Sequence, residues 1–94
     1  MIGQRDIVLL SVPFSEFKES KIRPAVVVST DSYNKKFADM IVVPMTTNLS
    51  LREHAILITS QNLESGRLIK DSKIKVDRIF SASQKLVRMK IGKV

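Results

Sequence analysis

The chain has 94 residues and a formal net charge of +7, with 16 Lys or Arg against 9 Asp or Glu. That length suits one domain spanning residues 1–94 with a modest core and little spare stability. The lack of cysteine removes a disulfide framework and any thiolate metal site and fits a reducing cytoplasm, and one histidine, His54, cannot build a histidine metal cluster within a single chain.

The apolar pattern then predicts short strands in order. Ile7–Val12 opens the series, and Pro13–Ile22 reads as a long loop carrying Phe14 and Phe17. Ala25–Ser29 forms the second strand. Thr30–Asp39 holds a helical turn that Thr30 or Asp31 can cap. Met40–Met45 and Ala55–Thr59 follow as strands, and Gln61–Gly66 reads as a turn closed by a glycine that tolerates positive φ. Lys73–Ile79 and Leu86–Ile91 alternate as strands with one wet face do. Five or six short strands with little helix predict a mainly β fold, a small barrel or rolled sheet. No apolar run approaches the roughly 18 residues that span a bilayer, and no basic-then-apolar leader opens the chain, so no membrane association is expected.

Charge is unevenly placed. Residues 1–65 hold 7 Lys or Arg against 7 Asp or Glu, and residues 66–94 hold 9 against 2. The whole excess therefore lies in the last third, which points to a polyanion or an acidic protein as partner. Lys73, Lys75, Arg78, Lys85, Arg88 and Lys90 are expected to share one solvent face across two strands, where they would also discourage edge pairing.

Two segments carry the candidate chemistry. Lys21-Ile22-Arg23-Pro24 leads into one strand, and Thr46-Thr47-Asn48 leaves another. Pro24 has a fixed φ and biases Arg23 toward extended backbone, which limits where the guanidinium points. If the two strands are neighbours, an arginine and two hydroxyls meet at one sheet end. That combination suits a phosphate better than a metal or an acyl group. A structural salt bridge for Arg23 and a backbone-satisfying hydroxyl for Thr46 are the bland alternatives. Asn48 is equally explained by turn chemistry, and His54 reads as a solvated loop residue although its type suits proton shuttling.

Taken together, the Asp6–Leu10 strand, Pro13-Phe14, Lys21–Ser29, Tyr33-Asn34, Val42–Asn48 and the Asp71–Phe80 region resemble the MazF/PemK (Kid) toxin endoribonucleases of type II toxin–antitoxin systems. The resemblance implies a small SH3-like barrel of the MazF/PemK/CcdB type with one or two short helical turns. It also implies a cytoplasmic homodimer that cleaves single-stranded RNA without a metal or other cofactor and is inhibited by an antitoxin with an acidic tail. By the resemblance, Arg23 is the catalytic arginine and Thr46 the catalytic hydroxyl. Thr47, Asn48, Lys75 and Asp77 become catalytic or RNA-binding candidates, with Lys75-Val76-Asp77 near a basic-x-acidic element of some members and Arg78 where glutamine is common. Phe14, Phe17, Lys21, Arg78 and Arg88 are the candidates for holding RNA, the two phenylalanines by stacking on unpaired bases. Members usually continue into a C-terminal helix, and that helix is expected to be absent here because the sequence stops at Val94. Two other readings stay open: a CcdB-like gyrase poison on the same barrel, and a non-catalytic basic SH3-like binding module.

Overall fold

The computed structural model describes residues 2–14, 19–50 and 54–94, with backbone alone at residues 12–14, 19 and 20. In chain order the elements are β1 (Asp6–Phe14), β2 (Glu19–Val27), α1 (Asp31–Lys36), β3 (Asp39–Thr46), β4 (Ala55–Ile58), β5 (Ser65–Gly66), β6 (Ser72–Lys75), β7 (Phe80–Ser83) and β8 (Val87–Lys93), with 3-10 turns at Ser60–Asn62 and Gln84–Leu86. The strands form one curled sheet in the order β4-β6-β3-β2-β1-β8-β5, and β7 pairs with β3 off this path. The fold is mainly β, a half-closed barrel. No helix among the described residues is long and apolar enough to cross a membrane.

The central strands are buried on both faces, which is why Ile7-Val8-Leu9-Leu10 is a continuous apolar run rather than an alternation. On one face Val8, Leu10, Ala25, Val27, Met40, Val42 and Ala82 form a core flanked by Phe80, Leu86 and Val87. On the other, Ile7, Val26, Met45 and Ile58 pack with Leu63, Leu68, Ile74, Ile91 and Val94. Curl comes partly from β8. Its register against β1 jumps from Ile7↔Gly92 to Val8↔Lys90, and from Leu9↔Met89 to Leu10↔Val87, leaving Ile91 and Arg88 as extra residues. Such bulges bend a strand and increase its twist. The two ends of the strand order, β4 and β5, are consecutive in sequence. Ser60 in their connection donates to the Leu68 carbonyl at 3.1 Å and accepts the Leu68 N–H at 2.9 Å.

Local signals held where the chemistry is local. The Thr30 hydroxyl accepts the Tyr33 N–H at 3.1 Å and caps α1. The carboxamide of Gln84 reaches the carbonyls of Asn34, Phe37 and Asp39 at 2.8–3.2 Å and so ties the helix's C-terminal end to the sheet. Two expectations needed correction. The long loop expected from Pro13 to Ile22 is largely hairpin, because the β1–β2 ladder runs out to Phe14↔Glu19. The strand expected over Lys73–Ile79 ends at Lys75, where the Arg78 N–H bonds back to the Lys75 carbonyl at 3.0 Å and turns the chain.

Candidate functional site

The site is created by two prolines. β2 and β3 pair through Val27↔Val42, Val26↔Val43 and Ala25↔Pro44, and there the ladder stops. Pro24 and Pro44 supply no N–H, so two donors are missing where pairing would continue. The last residues of β3 pair instead with β6, as Met45↔Ile74 and Thr46↔Lys73. The sheet thus splits between Arg23-Pro24 and Met45-Thr46.

Alternation fixes which side chains share a face. Ala25 and Pro44 are opposite one another, and β1 pairs regularly with β2 past this point, including Leu10↔Arg23. Arg23 is two residues from Ala25, Thr46 is two residues from Pro44, and Lys73 faces Thr46 across the β3–β6 ladder. Arg23, Thr46 and Lys73 therefore leave the sheet on one side, the side of Leu10 and Ala25, beyond the end of that core. Lys21 and Lys75, two residues further along β2 and β6, continue the same face. Arg88, the extra residue of β8 beside Leu10, stands at the same level two strands from Arg23.

Arg23 is exposed and has no hydrogen bond or ion pair among the described residues, so the structural salt bridge is not seen there. The Thr46 hydroxyl accepts the Asn48 N–H at 3.1 Å. Its own proton remains available to donate, since a hydroxyl both accepts and donates. Asn48 does turn work: its side-chain oxygen accepts from the Ser50 N–H at 3.1 Å and from the Ser50 hydroxyl at 2.6 Å. Thr47 is exposed and lies past the end of β3.

The remaining candidates are scattered. Asp77 lies in the turn after β6 with its carboxylate 4.0 Å from Arg78 Nε, both side chains largely exposed. Neither sits in the Arg23–Thr46–Lys73 row. Phe14 pairs by backbone with Glu19 at the hairpin tip and its side chain lies outside the described residues, as does all of Phe17. His54 is exposed, has φ of 53° and lies in the turn just before β4. The single basic face expected from two strands is not formed by neighbours, because β3, β2 and β1 separate β6 from β8. Part of the charge is also neutralised: Lys90 pairs with the buried Asp6 at 3.1 Å, and Arg5 and Lys93 each stand 3.9 Å from Glu64. Lys73 was named from sequence only as one of six cations of a basic face, not as a neighbour of Arg23 and Thr46. Its pairing with Thr46 is what places it in the row, and a cross-strand register leaves no local signal.

The reverse face of the split is apolar. Leu9, Pro24, Met45, Leu68 and Ile91 line a cavity of about 240 Å³ bordered by Thr47, Arg67, Ile69, Lys70 and Ser72. It continues the second core and lies behind the Arg23–Thr46 row.

Residues 3–94 match the family described as "PemK-like, MazF-like toxin of type II toxin-antitoxin system". Among solved structures, an endoribonuclease in complex with its cognate antitoxin from Mycobacterial species superposes with a TM-score of 0.76 at 16% identity, covering 100% of this chain and 80% of that one. The Mycobacterium tuberculosis toxin MazF-mt6 superposes with a TM-score of 0.74 at 17% identity, covering 96% of this chain and 80% of the other. No curated protein matches the chain in sequence.

Proposed function

Since the chain belongs to the family of PemK-like, MazF-like toxins of type II toxin–antitoxin systems, we propose that it is an endoribonuclease that cuts single-stranded RNA without a metal and is held inactive by a cognate antitoxin. The observation that carries this reading is the exposed Arg23, without a partner among the described residues, on the same sheet face as Thr46 and Lys73 at a strand split. In the step, the ribose 2′-oxygen attacks the adjacent phosphorus and the bond from phosphorus to the 5′-oxygen breaks, leaving a 2′,3′-cyclic phosphate and a 5′-hydroxyl. The 2′ proton goes to a base and the 5′-oxygen takes up a proton. Extra negative charge builds on the nonbridging oxygens, and preset donors aimed at that charge lower the barrier. Arg23 supplies a permanent cation with fixed donors, Thr46 donates its hydroxyl proton to a nonbridging oxygen, and Lys73 adds a second positive charge. Asp77 receives no role in this step, because its carboxylate faces Arg78 in a turn outside the row. Lys21, Lys75 and Arg88 guide the RNA backbone toward the row.

The active form is a cytoplasmic homodimer whose groove holds RNA or, alternatively, the acidic antitoxin tail. Exposed apolar side chains such as Ile56 and Leu57, at 57% and 54%, support an unburied surface of this kind. The test is incubation of the purified chain with a long single-stranded RNA in EDTA. Cleavage by the wild type, and its loss in a folded Arg23→Ala variant, is the expected result. Binding without cleavage would favour the non-catalytic module, and intact cleavage by Arg23→Ala would remove Arg23 from the chemistry.

A further inference from the structure

Phe37, at 47%, is the only aromatic side chain left exposed among the described residues. We infer that it is a stacking platform for an unpaired base of a single-stranded nucleic acid, at a site remote from the Arg23–Thr46 row. Leaving that much of a phenylalanine in water is unfavourable, so what holds it there matters. Its N–H bonds to the Tyr33 carbonyl at 2.9 Å, and its own carbonyl accepts from the Gln84 carboxamide at 3.0 Å. The next carbonyl, that of Ala38, accepts the Gln84 N–H at 3.0 Å. The ring packs on Tyr33, with centroids 4.6 Å apart and planes tilted by 41°. Backbone bonds on both sides of the ring thus present its open surface in one place, which lowers the cost of ordering a ligand against it.

The charge around the ring selects the class of ligand. α1 ends in Lys35 and Lys36, both exposed, and the Lys36 ammonium lies 5.6 Å from the Phe37 ring centroid. Lys85, also exposed, follows the Gln84 that bonds to Phe37. None of the three has an ion pair among the described residues. Asp39 is the acidic residue at this end, while Asp31, at the start of α1, has its carboxylate committed to the Gln4 N–H at 2.7 Å. Three cations against one carboxylate around a flat apolar ring fit a ligand with flat bases on a phosphate backbone. Lysines in a last helical turn also complement the helix dipole, a role that asks for no exposed aromatic beside them. When a base takes the ring, Lys36 is released from it and meets the adjoining phosphate.

The location gives the platform its use. β3 runs from Asp39, two residues after Phe37, to Thr46 in the Arg23–Thr46 row. At about 3.3 Å per residue, the two ends of that strand are about 23 Å apart. A strand stacked at about 3.4 Å per nucleotide needs about seven nucleotides to reach from one to the other. The platform therefore strengthens the hold on a long strand and adds nothing for a short one bound at the row. Naming that strand as an RNA substrate rests on the endoribonuclease reading above; the site and its chemistry do not.

The test follows the full chain by fluorine-19 NMR after its one tyrosine, Tyr33, is replaced by fluorotyrosine, so that a single resonance reports on the ring beside Phe37. One probe is a thymidine oligodeoxynucleotide of about 10 nucleotides, which has no 2′-hydroxyl and survives ribonuclease chemistry. The other is an abasic deoxyribose-phosphate strand of the same length. At low salt the thymidine strand should shift the resonance saturably, and the abasic strand should bind about tenfold more weakly for want of stacking. Phe37→Ala should weaken the thymidine strand about tenfold and leave the abasic strand nearly unchanged, whereas Phe37→Trp should bind both as the wild type does or more tightly. Lys35→Glu with Lys36→Glu should weaken both strands and flatten their salt dependence. An unmoved resonance with the thymidine strand, equal affinity for the two strands, or full affinity in Phe37→Ala would each overturn the platform. Complete loss of the response in Arg23→Ala would overturn it too, by placing the bound strand at the row alone. RNA cleavage in EDTA by the unlabelled chain reports on the endoribonuclease reading alone, so the two can fail independently.

Discussion

Gly66 offers the sharpest test of how the curled sheet closes. It has φ of 80° and pairs with Gly92 across the β5–β8 ladder. A Cβ built on it would collide with the Ile91 carbonyl oxygen and the Gly92 Cα, both backbone atoms that no rotamer change can move aside. Gly66→Ala therefore carries two costs. The left-handed conformation costs a non-glycine residue about 1–2 kcal/mol. Relieving the collision means separating β5 from β8, which gives up the Glu64 N–H to Lys93 carbonyl bond of 2.6 Å and the Arg67 N–H to Ile91 carbonyl bond of 3.3 Å. At a net of about 1 kcal/mol per hydrogen bond, the loss should reach about 3–4 kcal/mol. For a chain of this length that is a large share of a total stability of about 5–14 kcal/mol, and it corresponds to a fall in Tm of about 12–32 °C. Urea unfolding followed by circular dichroism at one fixed protein concentration measures it. Gly3→Ala is the control: its Cβ would meet the Asp31 and Asp6 carboxylates at 3.4 Å, an ordinary contact, so its effect should stay within about 0.5 kcal/mol. A loss below about 1 kcal/mol for Gly66→Ala, or one equal to the control, would refute the argument from the close approach of β5 and β8.

Arg23→Ala should lower RNA cleavage on the order of 100- to 1000-fold with an unchanged circular dichroism spectrum, and Arg23→Lys should restore only part of it because the fixed fork of donors is lost. Thr46→Ala should impair cleavage more than Thr47→Ala in steady-state assays, since only Thr46 shares a face with Arg23; the reverse order would show that the assigned face is wrong. Lys75→Glu combined with Arg88→Glu should weaken RNA binding and flatten its salt dependence, read as affinity at two salt concentrations, while cleavage at saturating RNA stays nearly intact. Lys90→Ala should cost up to about 1 kcal/mol in urea unfolding through its half-exposed pair with Asp6, and should change the salt dependence of RNA binding less than the Lys75 and Arg88 reversal.

What could be read from the sequence follows the range of the interactions. The cap at Thr30 is a contact with Tyr33 three residues on, and the double-sided burial of Ile7–Leu10 is stated by its composition, so both were legible. The outer β1–β2 arm was not, because Glu19-Ser20-Lys21 carries no apolar pattern and is a strand through its backbone pairing with Val12, Pro13 and Phe14. β7 was missed for a related reason: Phe80-Ser81-Ala82-Ser83 buries one alanine and is a strand only because Met40 and its neighbours on β3 pair with it. The extra residues Arg88 and Ile91 in β8 are invisible without the facing strand.

The same reasoning explains why the candidate site was half legible. Arg23-Pro24 and Thr46-Thr47 announce themselves as residue types, yet adjacent threonines are chemically alike in sequence, and a shift of one residue sends a side chain to the opposite face. Pairing decides between them. Thr46 is held to Lys73 and so to the side of Arg23, whereas Thr47 borders the apolar cavity behind. The two prolines at the split make this separation possible, because they end the β2–β3 ladder and leave one face polar and cationic and the other apolar. A single pair of neighbouring threonines thereby serves two surfaces. Replacing them one at a time therefore probes one surface each, and cleavage should respond to the loss of the Thr46 hydroxyl more than to that of Thr47.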